Sequence, residues 1–271
     1  MRLLSPVLIL ACVVGSPLAA ETNEERGKRI VFEALEALGG AAFVDMRDRV
    51  ESGRAYSFYR ERLSGLSRAT IYTRYLTPPD PHDPNQVFVR ERQSFGKNED
   101  SSVLFLETGE AWEITYRGAK SLPQATIDRF RESTLRNIFY ILKNRLNEPG
   151  LIIESKGTEV FQNQPVEIVD ITDSENRRNT IYFHRTTKLP VRQVFDRRDP
   201  QTRIRSEEVM LFSKYRDVGG GVLWPFVMRR ERDGQRVFEI FSDSVEINQD
   251  LTDDLFTLTD KIKILDKKPG Q

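Results

Sequence analysis

The sequence has little of the chemistry that builds reactive or metal-binding sites. It contains one cysteine, Cys12, and two histidines, His82 and His184. Neither histidine has neighbours at metal-ligand spacing, and one cysteine cannot form an internal disulfide. The motifs of serine hydrolases and zinc proteases do not occur, and the glycines at 219–221 lack the spacing and following helix of a phosphate loop. We therefore expect no metal, no cofactor and no catalytic centre.

An excess of charge of either sign is also missing. The 271 residues include 41 basic and 41 acidic side chains, so the formal net charge is zero. This balance gives no electrostatic reason to expect nucleic acid as a partner. A hydrophobic content of 38% is that of an ordinary globular chain, and the length suits one large β domain.

Long apolar runs are absent beyond the first residues. Arg2, the apolar run 7–14 and the small residues Ala19 and Ala20 form the pattern of a secretory signal peptide. We predict a signal peptide at 1–20, a mature domain at 21–262 and a flexible tail at 263–271. A transmembrane anchor needs a longer run, so the mature form is expected to have no transmembrane span. The motif ILAC resembles a lipobox, which leaves lipid anchoring at Cys12 as the alternative.

The mature chain reads as strands interrupted by few helices. Residues 23–38 carry an apolar stripe at helical spacing, and Gly39 follows as a C-terminal cap. Residues 41–46 fit a second, short helix. From residue 50 the pattern alternates with period two, with hairpin turns expected at Ser64-Gly65, Thr108-Gly109 and Asp233-Gly234. About eleven strands in meander order predict one antiparallel sheet, strongly curved or nearly closed.

One long helix is expected between two groups of strands, from Ser121 to Pro149. Its apolar stripe includes Ile127, Phe130, Ile138 and Leu142. Such a stripe must be buried, so the helix is expected to cover the sheet. The fold class is thus α+β and mainly β, an incomplete barrel with helices on its concave face.

The stretch VLWPF, at 222–226, is apolar on both faces of its strand. Continuous pairing from the Asp233-Gly234 turn predicts that Trp224, Phe226 and Phe241 share one face. These side chains either form a packed core or line a hollow, and the sequence supports both. Similarly, the Thr108-Gly109 turn is expected to set Val103 and Phe105 opposite Ile114 and Trp112.

The order of these parts resembles the LolA/LolB-like superfamily of periplasmic lipoprotein carriers. The resemblance is carried by ALEALGG, VESGRAYSF, ETGEAWEI, RTTKLPVR, YRDVGGGVLWPF and VEINQDLTDDLF, and covers most of residues 28–257. It implies a half-barrel whose apolar concave face holds acyl chains under helices. It also implies a periplasmic carrier or sensor of lipid or lipoprotein, without catalysis. The lid-locking arginine of that family has no identified counterpart here.

Three functions follow as expectations. The first is a binding protein for an acyl-chain lipid or lipoprotein; the second is an envelope module with a filled core that binds a protein partner. The third is an enzyme that uses scattered carboxylates. For the first, the predicted ligand-binding residues of the hollow are Phe105, Trp112, Ile127, Phe130, Ile138, Leu142, Trp224, Phe226 and Phe241.

Overall fold

The computed structural model describes residues 20–79, 82–198, 202–259 and 262–265. Residues 1–19 of the predicted signal peptide lie outside this part of the chain. The helices are α1 (Asn23–Leu38), α2 (Ala41–Val44), α3 (Gln124–Arg136) and α4 (Ile138–Tyr140), with a π-helical turn Ile141–Arg145 and a 3-10 turn Asp253–Phe256. The strands are β1 (Asp48–Tyr59), β2 (Arg62–Tyr75), β3 (Val89–Phe95), β4 (Ser101–Phe105), β5 (Ala111–Thr115), β6 (Gly118–Ser121), β7 (Ile152–Phe161), β8 (Gln164–Thr172), β9 (Arg178–His184), β10 (Pro190–Arg198), β11 (Arg205–Asp217), β12 (Leu223–Arg232) and β13 (Gln235–Ile247).

All thirteen strands belong to one antiparallel sheet. Their order is β6-β5-β4-β3-β2-β1-β13-β12-β11-β10-β9-β8-β7, so β6 and β7 are its edges and the sheet is not closed. The predicted fold class is confirmed, with thirteen strands in place of about eleven. The short β6 is one segment that the sequence pattern did not separate from the start of the following helix.

The first and last strands of the meander meet at the centre of the sheet, where β1 pairs with β13. The register shifts between Ser52 and Gly53, because a bulge adds one residue to β13. A Cβ atom at Gly53 would lie 2.2 Å from the carbonyl oxygen of Phe241, so only glycine fits there. Bulges of this kind bend and twist a strand, which helps the sheet to curve.

Helix α1 forms as the sequence predicts and covers one half of the concave face. Thr22 caps its first turn and exchanges hydrogen bonds with Glu25 in a capping box. Its buried stripe contacts β7, β8 and β12. Together with α2 and α4 it closes a core whose fully buried members include Ile30, Leu38, Phe43, Ile138, Leu142, Ile171, Ile181 and Phe183.

The last described residues pair with the other edge of the sheet. The backbone of Ala119 in β6 accepts a hydrogen bond from Leu265 and donates one to Lys263. Residues 263–265, the first part of the predicted tail, are thus hydrogen-bonded to β6. Residues 266–271 lie outside the described part of the chain.

Candidate functional site

A cavity of about 370 Å³ lies beneath α3, in the half of the concave face that α1 does not fill. Strands β1 to β4, β11 and β12 form its floor, and α3 with α4 forms its roof. This volume is within the range of small-molecule sites in proteins. The cavity therefore lies between α3 and part of the sheet, whereas α1 packs directly on the strands beneath it.

Aromatic rings and methionines form the apolar walls. Phe105 on β4 stacks on Phe130 of α3, with 3.8 Å between ring centroids and 5° between planes. Phe139 lies 4.7 Å from Trp224, measured between centroids. Met210 and Met228 add flexible, polarizable surface on β11 and β12. These walls can accept an apolar group without a fixed shape.

One end of the cavity is polar and centred on Arg49 of β1. Its guanidinium carbon is 4.1 Å from the centroid of the Trp224 ring, a cation–π contact. It donates hydrogen bonds to Tyr75 Oη at 3.4 Å and Thr73 Oγ1 at 3.2 Å. The Nε atom of Arg49 is 3.7 Å from Oε2 of the fully buried Glu51. The buried charge is thus matched by a carboxylate and two hydroxyls.

A second carboxylate, Glu91 on β3, faces the same cavity. It accepts hydrogen bonds from Gln93 and Thr73. Burial raises the pKa of Glu91, and the hydrogen bond from Gln93 and the charge of Arg49 only partly oppose this. Although burial acts to lower the pKa of Arg49, the nearby Tyr75, Glu51 and Glu91 raise it. The polar end therefore keeps a permanent cation beside carboxylates.

Several buried polar atoms of the cavity lining have no hydrogen-bond partner in the described residues. They are Arg49 Nε, Glu51 Oε2, Trp224 Nε1 and Arg230 Nε. Leaving such atoms unpaired costs about 1–3 kcal/mol each. A bound molecule with polar atoms could satisfy them, so the cavity favours a ligand that is not wholly apolar.

Of the residues predicted for the hollow, the structure brings Phe105, Phe130 and Trp224 together in this cavity, and their role in ligand binding stays a prediction. Trp112 does not join them, because the β4–β5 register differs by one residue from the prediction. Leu106 donates to the carbonyl of Glu110, and Phe105 pairs with Ala111. A shift of one residue moves a side chain to the opposite face of the sheet.

Phe241 is also on the other face, for a related reason. A bulge between Arg230 and Glu231 shifts β13, so that Phe241 pairs with Val227 rather than with Phe226. Its ring is 36% exposed and meets Tyr56 edge-on. The neighbouring Ile240 instead pairs with the cavity residue Met228.

Phe226 is buried but does not line the cavity. The guanidinium of Arg216 lies 4.5 Å from its ring centroid. Phe226 and Phe241 line a separate pocket of about 420 Å³ with Val227.

The remaining predicted residues are displaced by a break in the expected long helix. At Asn137 the backbone turns to an extended conformation, with ψ at 125°, and helix α3 ends. Ile138 and Leu142, which follow the break, are fully buried in the core beneath α1 rather than in the cavity. Ile127, before the break, is half-buried and does not line the cavity.

Side chains from other elements satisfy the backbone at this break. Asn137 Oδ1 accepts from the amides of Phe139 and Tyr140, and Gln193 Oε1 accepts from that of Ile138. Asn179 donates to the carbonyl of Arg136. Gln193 and Asn179 each lie more than forty residues along the chain from the backbone group that they bind. These distant hydrogen bonds do not change the local spacing of apolar residues. The apolar periodicity therefore predicted a continuous helix.

Sequence reasoning missed the polar residues of the cavity. Arg49 and Glu51 lie on the inward face of β1 together with Gly53 and Ala55, at every second position of the strand. Charged residues are uncommon on such a buried face. The period-two spacing places them on one face, but nothing local in the sequence marks that face as buried. Phe139, which also lines the cavity, was not among the residues predicted for the hollow.

No protein-family model matches the sequence, and no curated protein matches it. The structure is similar to an outer membrane lipoprotein-sorting domain from Vibrio parahaemolyticus, with a TM-score of 0.57, 10% identity, 86% coverage of this chain and 97% of that one. It is also similar to a DUF1329 family protein from Desulfovibrio piger, with a TM-score of 0.54 and 14% identity over 85% of this chain and 97% of that one.

The chain has a LolA-like fold. A LolA superfamily protein from Nitrosomonas europaea matches it with a TM-score of 0.50 and 11% identity, over 86% of this chain and 97% of that one. The resemblance stated from the sequence is thus confirmed at the level of fold. Within the described ranges, no helix is long and apolar enough to cross a membrane.

Proposed function

We propose that the chain is an exported binding protein that holds the acyl chain of a lipid or lipoprotein in the cavity beneath α3. The observation that carries this proposal is the cavity itself, walled by Phe105, Phe130, Phe139 and Trp224. A filled core would leave no such space between α3 and the sheet. The LolA-like fold supports the same role, since a lipoprotein-sorting domain and a LolA superfamily protein share it.

The proposed location is the periplasm of a bacterium, reached through the signal peptide at 1–20. The proposed role is carriage or sensing rather than catalysis. Both carboxylates of the cavity are held by neighbours: Ser242 and Arg49 engage Glu51, while Gln93 and Thr73 engage Glu91. Such carboxylates are placed to balance Arg49 rather than to attack or protonate a substrate.

The test fills the cavity from its floor and measures uptake of a fluorescent fatty acid by the mature chain. Ile71 on β2 lines the cavity and is half-buried. Ile71→Trp should occupy space that the ligand needs and reduce affinity at least tenfold. Because the added ring enters open space, the Tm should change by only a few degrees; about 1 kcal/mol corresponds to roughly 2–4 °C in a chain of this size.

The matched control is Leu66→Trp on the same strand. Leu66 is 59% exposed and does not line the cavity, so uptake should be that of the parent. Failure of the parent chain to bind any acyl ligand would overturn the proposed function. Equal uptake by Ile71→Trp and the parent would place the ligand elsewhere.

A further inference from the structure

The end of the cavity opposite Arg49 has more cationic than anionic side chains. Arg230 on β12 and Arg129 on α3 line it. The ionic groups linked to one another around Arg230 comprise five guanidiniums and two carboxylates, a formal excess of three positive charges. They are Arg129, Arg136, Arg197, Arg230, Arg232, Glu132 and Glu208.

Both carboxylates in this group already have closer partners. Glu208, 2% exposed, accepts from Arg232 Nε at 2.8 Å and lies 3.5 Å from Arg197 Nη1. Its distance to Arg230 Nε is 4.0 Å, too long for a hydrogen bond. Glu132 is engaged by Arg197 at 3.1 Å and by Arg136 at 3.3 Å. Among the described residues, Arg230 is thus left with an attraction but no hydrogen bond.

The two arginines that line the cavity are the least neutralised of the group. Arg230 Nε is buried without a hydrogen-bond partner in the described residues. Arg129 makes no ion pair within 4.0 Å among those residues and is exposed at the rim. Burial lowers the pKa of Arg230; the charge of Glu208 opposes this, but repulsion from Arg232, Arg197 and Arg129 adds to it. An anion at this point would relieve both the repulsion and the unpaired donor.

The apolar walls begin next to this cationic end. Met228 and Trp224 lie on the same strand as Arg230, and both line the cavity. Six residues of strand separate Arg230 from Trp224, which corresponds to roughly 20 Å. A molecule that reaches from one to the other is elongated, with a charged end at Arg230 and an apolar body along β12.

The Arg49 end is a poor site for an anion by comparison. Glu51 and Glu91 face the same space, so a second negative group would be repelled there. In the part of the chain that the structure describes, no carboxylate lies at hydrogen-bond distance from Arg129 or Arg230, so the charge pattern gives the ligand one orientation.

We infer that the ligand is an anionic amphiphile, whose phosphate or carboxylate group is bound by Arg129 and Arg230 while its acyl chain lies along β12. This inference rests on the proposed function and adds the charge and orientation of the ligand. Lipids with an anionic headgroup and free fatty acids both have this chemistry, whereas inorganic phosphate has the charge without the chain.

The experiment compares ligands that share one oleoyl chain. Lysophosphatidic acid and oleate carry an anionic end, and monoolein is neutral; inorganic phosphate is titrated alone. Displacement of a fluorescent alkyl probe from the mature chain gives each affinity. We expect the two anionic ligands to bind about tenfold more tightly than monoolein, the effect of one charge-assisted contact. Inorganic phosphate should not compete at the same concentrations.

The variant Arg129→Gln/Arg230→Gln removes both cations and keeps an uncharged polar side chain at each position. Its affinity for lysophosphatidic acid should fall about tenfold, while that for monoolein stays unchanged, which also shows that the variant is folded. The control is Arg131→Gln on the same helix, where Arg131 is exposed and pairs with Asp128. It removes a positive charge outside the cavity and should bind all ligands as the parent does.

The outcomes separate the two proposals. Equal binding of anionic and neutral ligands, or an unchanged preference in the double variant, overturns the inference and leaves acyl binding intact. Phosphate that binds as tightly as lysophosphatidic acid would show an anion site without a lipid role. No binding of any acyl ligand would remove the proposed function and this inference together.

Discussion

At the scale of single residues, the site depends on charged side chains in places where the sequence pattern suggests apolar ones. Arg49 is buried against Trp224 and compensated by Glu51. Lys143 is a half-buried cation on the π-helical turn. It donates a hydrogen bond to the carbonyl of Val44, and its Nζ lies 4.9 Å from the centroid of the Tyr75 ring. It thereby links the α4 region to α2 and β2.

The Lys143 interaction predicts a pH-dependent stability. Burial lowers the pKa of Lys143 to about 8, against an ordinary value of 10.5, and Asp45 opposes this only weakly. Between these values the unfolded chain binds more protons than the folded one, so this lysine makes stability rise with pH. The measurement is the free energy of unfolding in urea of the parent and of Lys143→Met, at pH 7 and at pH 10. The stability of the parent relative to the variant should be greater at pH 10 than at pH 7.

The expected shift is on the order of 1 kcal/mol, after allowance for solvent screening at a half-buried site. The control is Lys28→Met, which changes an exposed lysine paired with Glu24. The free energy of unfolding of Lys28→Met should differ from that of the parent by the same amount at both pH values. A Lys143→Met difference that is also independent of pH would mean that Lys143 titrates as an ordinary lysine.

At the scale of elements, α1 and the strand meander follow from periodicity, because their apolar faces are set by local spacing. The positions of turns follow less well. The first hairpin turns at Arg60 and Glu61, both at positive φ, although Ser64-Gly65 has the stronger turn composition. Contacts across the sheet fix the register there, as they do at the β4–β5 loop and the bulge in β13. The one-residue differences moved Trp112 and Phe241 away from the cavity.

The end of α3 is fixed by a buried ionic network that no local pattern reveals. Arg145 donates to the carbonyl of Leu135, to both oxygens of Glu148 and to Asp173 at 2.9 Å. Arg177 also binds Asp173, and reaches the loop at Pro84. The network thus joins the helix break, the β8–β9 turn and the loop before β3.

Asp173→Asn should destabilise the fold by about 2 kcal/mol, as measured by urea unfolding at pH 7. This is below the usual cost of breaking a buried ion pair, because Glu148 continues to neutralise Arg145. Although burial acts to raise the pKa of Asp173, hydrogen bonds from Arg145 and Arg177 lower it below its ordinary 3.8. Its contribution is therefore present above that value and is lost as the pH falls through the lower pKa of the folded state.

Asp128→Asn is the control for this network. Asp128 pairs with Arg131 on an exposed surface, where such pairs contribute about 0–1 kcal/mol. Equal effects of the two substitutions would show that the buried network is not what anchors the end of α3.

At the scale of the whole molecule, one continuous sheet supports two different halves. Beneath α1, α2 and α4 the concave face is packed, with Ile30, Phe183 and Ile181 fully buried. Beneath α3 the same face is left open as the cavity. The fold class could be predicted from the sequence, whereas this division could not, since it depends on the helix break at Asn137.

This division predicts where ligand binding stabilises the chain. A ligand at one hundred times its Kd adds about 2.7 kcal/mol to the folded state. Amides that exchange by local opening gain protection only where the ligand contacts the opening element. In hydrogen exchange with saturating lysophosphatidic acid, we therefore expect slower exchange in α3, in β1 to β4 and in β12. Strands β7 to β9, which pack under α1, should exchange as before unless they open only in global unfolding.

Slower exchange confined to β7 to β9, with α3 unchanged, would place the ligand on the packed half and contradict the division. The two β2 variants test whether this protection comes from ligand in the cavity, because only Ile71 of the two residues lines it. Protection of α3 should be lost in Ile71→Trp and kept in Leu66→Trp.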